Sequence, residues 1–365
     1  MLKRVLVYGL NNSVGGVQQY IMNIQGALEE RIAFSFLLEG SNNRYESEIV
    51  ERGGTVLYIP ESRGTKHLYN VLKKCRRNID CIYVNISNYT HEVLVLLMLT
   101  SILNYKVVVH SHAAKLETQL SPLHRITHFL VVGCGRWLCR KNTRLAVSQR
   151  AGKYMYGNHR FDIVPPGIEM DKFKYSEENR RRIRELYNCE NHFVLGVVGR
   201  LVSVKNYEFA IQVFARVKEL CNECEVSMLI VGDGELRHML EKYVDELGIS
   251  QCVHFVGMTN KVSEYYSAMD CLLGTSFSEG LPLGIVEAQV SGLRCICADG
   301  NYPKEIAVTD LVEMLPLSVG SDVWALKVLT IQKEYGMKQR NSIQDTHLLE
   351  FGKTAVADRL AAYFA

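Results

Sequence analysis

Short runs of apolar and β-branched residues alternate along this chain with longer segments whose apolar residues recur at helical spacing. That alternation breaks once and then begins again. Arg4 to Gly9 reads as a strand, followed by a glycine turn at Gly15-Gly16 and a helix from Val17 to about Glu30. Ala33–Leu38, Thr55–Ile59, Cys81–Asn85 and Lys106–His110 are further strand candidates, with helical spacing around Asn43–Arg52, Tyr69–Arg77 and His91–Leu103 between them. Arg144–Ser148 is expected to be the last strand of this half. Strands that alternate with helices in this way need crossover connections, so the pattern predicts parallel βαβ units in a doubly wound sheet.

The break falls at Asp162-Ile-Val-Pro-Pro-Gly167, where two prolines and a glycine cannot continue a helix. A charged stretch follows, in which Arg180 to Arg184 is expected to decorate a solvated helix. The alternation restarts at Phe193–Gly199, with a helix at about Tyr207–Leu220 and strands at Ser227–Val231, Val253–Val256, Cys271–Leu273 and Cys295–Ala298. The chain therefore reads as α/β, with two Rossmann-like domains joined near residues 165–190. At 365 residues it has the length that two such domains need. In open α/β sheets ligands sit at the carboxyl ends of strands, so residues just after strands are the ones to interrogate.

Composition narrows the classes of function. Lysine and arginine number 42 against 39 acidic residues, a formal charge of +3, so no global field favours nucleic acid as a partner. The longest apolar run, Val93 to Leu103, is interrupted by Thr100 and Ser101 and is too short to span a bilayer, which predicts a buried helix. The sequence from Met1 enters a strand pattern without a signal peptide's apolar core, and the 11 cysteines form no regular framework. Cys221-x-x-Cys224 has no second ligand pair, so reduced core thiols and a cytosolic location are expected.

One segment stands out chemically: Ser276-Phe-Ser-Glu279-Gly280-Leu281-Pro282-Leu283-Gly284-Ile-Val-Glu287. In one continuous helix its two glutamates would lie about 12 Å apart. Gly280 and Pro282 instead place Glu279 in a loop and Glu287 inside the helix that follows. The free N–H groups near Leu283 and Gly284 would form an anion site, with carboxylates beside it to accept hydrogen bonds from sugar hydroxyls.

This segment resembles the E-x7-E signature of the retaining glycosyltransferases of family 4, which have the GT-B fold. Other elements fall in that family's order. Gly15-Gly16 resembles its N-terminal glycine loop, and Val198-Gly199-Arg200-Leu201 with Lys205-Asn206 resembles its phosphate element. Val231-Gly232-Asp233-Gly234 resembles its nucleotide-side turn, and His254-Phe-Val-Gly257 its base-contacting strand end.

The resemblance implies two domains facing each other across a cleft. Residues 1–165 would bind the acceptor, residues 166–349 would bind the nucleotide-sugar, and a helix at about 350–365 would cross back to the first domain. It implies that Arg200, Lys205 and Gly16 hold the donor diphosphate, that Glu279 binds the transferred sugar's hydroxyls and that Glu287 binds the donor ribose. His110, at the end of Val107-Val-Val-His110-Ser-His112, aligns best with the family's histidine beside that sugar, with His112 the second choice.

Arg200 follows directly on an apolar strand, and its guanidinium fork matches diphosphate oxygens, with Lys205 a second point charge. No Asp-x-Asp triplet is present to hold a divalent metal, and no cofactor is called for, so metal independence is expected, while the resemblance implies a retaining hexosyltransferase using a UDP-sugar. The linker Pro165-Pro-Gly167-Ile-Glu169 and Arg294 depart from common members of the family. With His110-Ser-His112 and Pro303-Lys-Glu305 they resemble the branch that assembles bacterial capsule and exopolysaccharide on a polyprenyl diphosphate carrier.

A lipid-linked acceptor implies a membrane-facing surface. His124 to Arg144 mixes Phe129, Leu130, Trp137 and Leu138 with Arg125, Arg136, Arg140, Lys141 and Arg144, a composition that suits an anionic interface and equally a core helix with a basic rim. Lys73 to Arg77 would extend the same basic surface. Two other readings stay open, a GT-B-fold UDP-sugar epimerase and a partner subunit that keeps the fold without activity.

Overall fold

A computed structural model describes residues 2–13, 15–59, 64–112, 122–221, 225–335, 340 and 345–365, with backbone alone at 122–126 and 346. The chain divides into two units, Met1–Gly167 with Phe351–Ala365, and Ile168–Glu350.

In the first unit the strands are β1 (Lys3–Tyr8), β2 (Ile32–Glu39), β3 (Thr55–Ile59), β4 (Cys81–Ile86), β5 (Val107–Ser111), β6 (Thr143–Ala146) and β7 (Asp162–Ile163). The helices between them are α1 (Gly16–Leu28), α2 (Glu46–Glu51), α3 (Thr65–Cys75), α4 (His91–Ile102), α5 (Pro122–Cys139) and α6 (Gln149–Tyr156). The seven strands form one sheet in the order β3-β2-β1-β4-β5-β6-β7, and neighbouring strands run parallel. From β1 the chain winds outward to β3, then returns to β1's other side and winds the opposite way. The order therefore reverses between β1 and β4, where a doubly wound sheet opens a crevice at its carboxyl edge.

Helix α1 buries Tyr20, Ile21, Ile24 and Leu28 on one stripe. They pack on Val5, Val7, Phe36 and Tyr83 of the sheet together with Val356, Leu360 and Phe364 of the helix Lys353–Phe364. Side-chain oxygens satisfy the first turns of α4 and α6, with Thr90 accepting from the Val93 N–H and Ser148 from the Ala151 N–H.

The second unit opens with α7 (Glu177–Leu186) and continues β8 (Phe193–Val198), α8 (Tyr207–Leu220), β9 (Val226–Val231), α9 (Arg237–Glu246), β10 (Val253–Gly257) and α10 (Val262–Ala268). It then runs through β11 (Cys271–Gly274), α11 (Leu283–Val290), β12 (Arg294–Ala298), β13 (Val312–Leu315), α12 (Gly320–Tyr335) and α13 (Thr346–Leu349), and the chain ends with α14 (Lys353–Phe364) of the first unit. Its six strands run in the order β10-β9-β8-β11-β12-β13, again parallel, with the reversal between β8 and β11.

Four expectations are corrected. The last strand of the first sheet is Asp162–Ile163, which adds an edge beyond Thr143–Ala146. Val312–Leu315 extends the second sheet. Helix α4 buries one side only, leaving Met98 and Ile102 exposed. In α7 the run Arg180–Arg184 is not merely solvated: Arg184 is buried, and Arg180 and Arg184 both pair with the Asp270 carboxylate, at 2.7 and 2.5 Å. Two guanidiniums on successive turns share one carboxylate, which also accepts from the Val194 N–H at the start of β8. A charged helix is thereby tied to the sheet.

Among the described residues no helix is long and apolar enough to cross a membrane. Cys81, Cys139, Cys189, Cys271, Cys295 and Cys297 are buried, whereas Cys134 is exposed and so is not a core thiol. Cys224 lies outside the described residues.

Candidate active site

The reversal point of the second sheet is where the sequence places its chemistry. Strand β8 ends at Val198, and the chain turns through Gly199 and Arg200 into a short turn at Ser203–Lys205 that leads into α8. This loop is seated on the Val-Gly-Asp-Gly turn after β9. The Gly199 N–H donates to Val231 O at 2.9 Å and the Leu201 N–H to Asp233 O at 3.0 Å. Gly232 has φ +135°, and a Cβ there would fall 1.9 Å from the Gly199 carbonyl oxygen. Only glycine lets the two backbones meet. Gly257, at the end of β10, accepts from the Gly232 N–H at 3.0 Å and supports the crossing from the far side. Gly232 and Gly257 are thus backbone supports, and neither lines the cavity that opens beside them.

That cavity, about 260 Å³, is walled by the ends of β8 and β11 and by the start of α11. Lys205, Glu279 and Glu287 all face it, with Pro282, Leu283 and Gly284 of the helix start. Glu279 lies in a loop and Glu287 inside α11, as the placement of Gly280 and Pro282 requires. Gly280 and Leu281 connect Glu279 to the helix and stay half-buried. No side chain caps α11 and no acidic residue occupies its first turn, so its leading N–H groups keep their capacity for an anion. A Cβ on Gly284 would stand 2.9 Å from the Tyr266 hydroxyl, so the helix start and that tyrosine are closely fitted.

The structure joins two residues that the sequence kept separate. Lys205 Nζ donates to Glu279 Oε1 at 2.6 Å, across 74 residues of chain. Ser276 Oγ donates to the same oxygen at 2.6 Å, and the Tyr302 hydroxyl donates to Ser276 Oγ at 3.0 Å. Among the described residues Glu287 Oε2 accepts only a longer bond from the Tyr266 hydroxyl, at 3.3 Å. Burial raises its carboxyl from 4.5 to about 7, against the smaller opposing pulls of that hydroxyl and of Lys172. Arg200 sits next to Gly199 but is exposed and outside the cavity wall.

In the first unit the strand-end histidines separate. His110 is fully buried, with its Nε2–H donating to Val164 O at 3.0 Å and its Nδ1 accepting from the Tyr83 hydroxyl at 2.6 Å. The Tyr20 hydroxyl bonds that of Tyr83 at 2.8 Å and approaches the same ring nitrogen. Burial pulls the His110 pKa down to about 3, so the ring is neutral with both nitrogens engaged. The expectation that His110 contacts substrate is corrected: it is a core histidine.

His112, half-buried, holds Asn85 Oδ1 through Nε2 at 2.9 Å. An amide oxygen only accepts, so Nε2 carries the proton and Nδ1 keeps a lone pair. Burial, then the neighbouring His110, holds this ring well below the usual histidine range. Asn85 was not singled out from the sequence, although a lone amide in the apolar strand Cys81–Ile86 is a readable signal. Gly15 caps α1 in an extended conformation, and a Cβ on Gly16 would meet nothing within 4 Å. Among the described residues that space is open.

From Thr127 onward α5 exposes Phe129 (75%), Leu130 (63%) and Trp137 (58%), and the Arg140 guanidinium lies 5.0 Å from the Trp137 ring centre. Three of the counted cations are engaged by backbone carbonyls and only half-exposed. Arg136 donates to the carbonyls of Tyr154 and Met155, Arg144 to those of Arg160, Cys139 and Arg140, and Arg76 to those of Leu103 and Asn104. The side chains of His124, Arg125 and Ile126 lie outside the described residues. Among the described residues no group of three or more His, Cys, Asp or Glu could hold a metal ion.

Residues 179–312, the stretch containing this cavity's cationic and acidic residues, match the family described as Glycosyl transferases group 1. The protein EpsF of Bacillus subtilis (strain 168) is 26% identical over 361 residues, covering 94% of this chain and 91% of that protein. The UDP-Gal:alpha-D-GlcNAc-diphosphoundecaprenol alpha-1,3-galactosyltransferase of Escherichia coli is 30% identical over 145 residues, 39% of this chain and 37% of its own length. Among solved structures, Anabaena Alr3699/HepE in complex with UDP superposes with a TM-score of 0.75 at 18% identity, over 100% of this chain and 97% of that one. The same Anabaena protein has been crystallised with UDP-glucose. The chain thus has the two-sheet GT-B architecture, and the segment that carries its cavity is similar to the glycosyl transferases of group 1.

Proposed function

We propose that this protein is a glycosyltransferase, a retaining, metal-independent hexosyltransferase. It moves a sugar from a UDP-sugar to a polyprenyl-diphosphate-linked glycan in bacterial capsule or exopolysaccharide synthesis. The observation that carries the reading is the convergence of Lys205, Glu279, Glu287 and the uncapped start of α11 on one cavity at the reversal of the second sheet. Lys205 and the α11 N–H groups take the diphosphate, with Arg200 reaching in from the rim. Glu279 accepts from the sugar hydroxyls and Glu287 from the ribose diol.

In the transfer the bond from the anomeric carbon to the diphosphate oxygen breaks. The acceptor oxygen bonds the same face, and its proton passes to the departing diphosphate. Cationic side chains and oriented N–H groups supply the positive potential that this departure needs, so no divalent ion is required.

The UDP complexes of the Anabaena neighbour and the lipid-linked acceptor named for the Escherichia coli relative support this choice of donor and acceptor. The first unit takes the acceptor. His112 offers Nδ1 to a sugar hydroxyl in place of His110, and Gly16 leaves room for a ligand to approach the backbone. The exposed Phe129, Leu130 and Trp137 of α5 rest on an anionic bilayer at the inner face of the cell membrane.

Incubation with a panel of UDP-sugars and a polyprenyl-diphosphate disaccharide tests the reading. Transfer with the donor's anomeric configuration kept in the product, and undiminished by EDTA, is expected. An inverted product, or activity that returns only with added magnesium or manganese, overturns the mechanism.

A further inference from the structure

The cavity is not a ready-made anion site. Its wall carries one ammonium, Lys205, and two carboxyl groups, Glu279 and Glu287, while Arg200 stays outside it. The ammonium is already engaged at 2.6 Å. An entering diphosphate therefore meets a cation whose charge another anion has satisfied.

The geometry points to an exchange of partners. We propose that Glu279 occupies the place of a phosphate oxygen on Lys205 in the ligand-free protein, and that a nucleoside diphosphate displaces it, freeing the carboxylate for the hydroxyls of the sugar. This rests on the donor reading given above and adds an order of events to it.

Three features support the exchange. The backbones that carry the two residues are fixed to one another. Thr275 Oγ1 donates to the carbonyls of Lys205 and Asn206 at 3.2 and 3.1 Å, and Asn206 Nδ2 donates back to Thr275 O at 3.2 Å. Only side-chain rotation is then needed to swap partners. Second, Lys205 and Ser276 share a single carboxylate oxygen, Oε1. Ser276 is itself held by Tyr302, so Glu279 keeps one donor when Lys205 leaves. Third, both side chains are largely sequestered, at 25% and 12% exposure, so water compensates poorly for a lost partner.

UDP alone thus takes Lys205 and leaves Glu279 short of a donor. A UDP-sugar takes Lys205 and supplies sugar hydroxyls in return. The pair would favour a loaded donor over a spent one.

Calorimetric titration with UDP in EDTA-containing buffer tests the exchange on the full chain. Glu279→Gln keeps the shape and the Ser276 bond while removing the charge, and should bind UDP about fivefold more tightly than the wild type. Lys205→Met should bind it about tenfold more weakly. In the Lys205→Met background Glu279→Gln should gain less than about twofold, because there is no cation left to release. Unchanged or weaker UDP binding by Glu279→Gln overturns the exchange, and so does a gain that persists without Lys205.

Should Glu279→Gln fail to fold by circular dichroism, Glu279→Asp takes its place. It draws the carboxylate back by one methylene and should tighten UDP about twofold, with no tightening counting against the exchange. If the wild type does not bind UDP, or Lys205→Met binds it equally well, the donor reading itself falls.

Discussion

The two sheets reverse their strand order at equivalent places, β1 beside β4 and β8 beside β11, yet the two units use those places differently. In the first unit Tyr20, Tyr83 and His110 fill the space behind the strand ends and satisfy one another. In the second the strand ends open into a cavity where, among the described residues, the Glu287 carboxyl has one long hydrogen bond and no side chain caps the α11 N–H groups. A polar residue at the end of a buried strand is therefore no measure of function by itself. What matters is how much of its bonding capacity the chain has already used. His110 has spent both ring nitrogens, whereas His112, two residues on, keeps one among the described residues.

The contrast can be broken most directly by alanine substitutions in the open site. Lys205→Ala and Glu287→Ala should each lower turnover by about 10²-fold or more, the size of losing one positioned electrostatic group, with melting temperatures close to wild type. Steady-state rates beside a thermal melt would show it, and near-normal rates in both would remove the cavity from the mechanism.

The closed network should behave in the opposite way. His110→Ala removes one partner each from the Tyr83 hydroxyl and the Val164 carbonyl in the interior and should cost about 2–3 kcal/mol of stability. His112→Ala should change stability by less than about 1 kcal/mol and act on turnover. Denaturant titration of both variants compares them, and equal stability losses would erase the distinction drawn between the rings.

Acidity gives a third lever. Glu287 titrates near 7 because burial disfavours its charge. UDP affinity that depends on its carboxylate should therefore fall on acidification from pH 8 to 6, by up to about tenfold. Stability moves the other way. Between the ordinary 4.5 and about 7 the native state holds a proton that the unfolded chain has released, so this group destabilises the second unit as pH rises through that window. Glu287→Gln should flatten both profiles, and a wild-type affinity that is level from pH 8 to 6 would dismiss the carboxylate's role.

The smallest expected effect is at Gly16. A methyl group there meets nothing among the described residues, so Gly16→Ala should leave stability within about 0.5 kcal/mol of wild type. Gly232→Ala, forced against the Gly199 carbonyl at positive φ, should lower the melting temperature clearly. Parallel melts of the two variants would separate space kept for a ligand from space the fold itself consumes.

Much of the fold was legible because its elements are long and strongly patterned. Thr55–Ile59 and Tyr207–Leu220 match the sequence reading residue for residue. Val312–Leu315 escaped it because an edge strand of four half-buried residues carries no continuous apolar run. The Glu279-to-Glu287 loop and helix start were readable from Gly280 and Pro282, whose backbone preferences are local. Pairings across the chain were not. Nothing in Arg180–Arg184 shows that Asp270 waits 86 to 90 residues away, and nothing near Lys205 announces Glu279. The histidines show a finer limit. Alternation puts His110 and His112 on one face, and their rings do stand 4.6 Å apart, but depth along the strand decides which is buried.

The interior of the first unit is assembled from two distant stretches, because Val356, Leu360 and Phe364 complete a core begun by Val5 and Tyr20. During synthesis on the ribosome this unit therefore stays unfinished while the whole of residues 168–350 emerges, and the second unit has every element it needs first. A nascent chain halted before residue 351 should hold a protease-resistant second unit beside a first unit that is still readily cut.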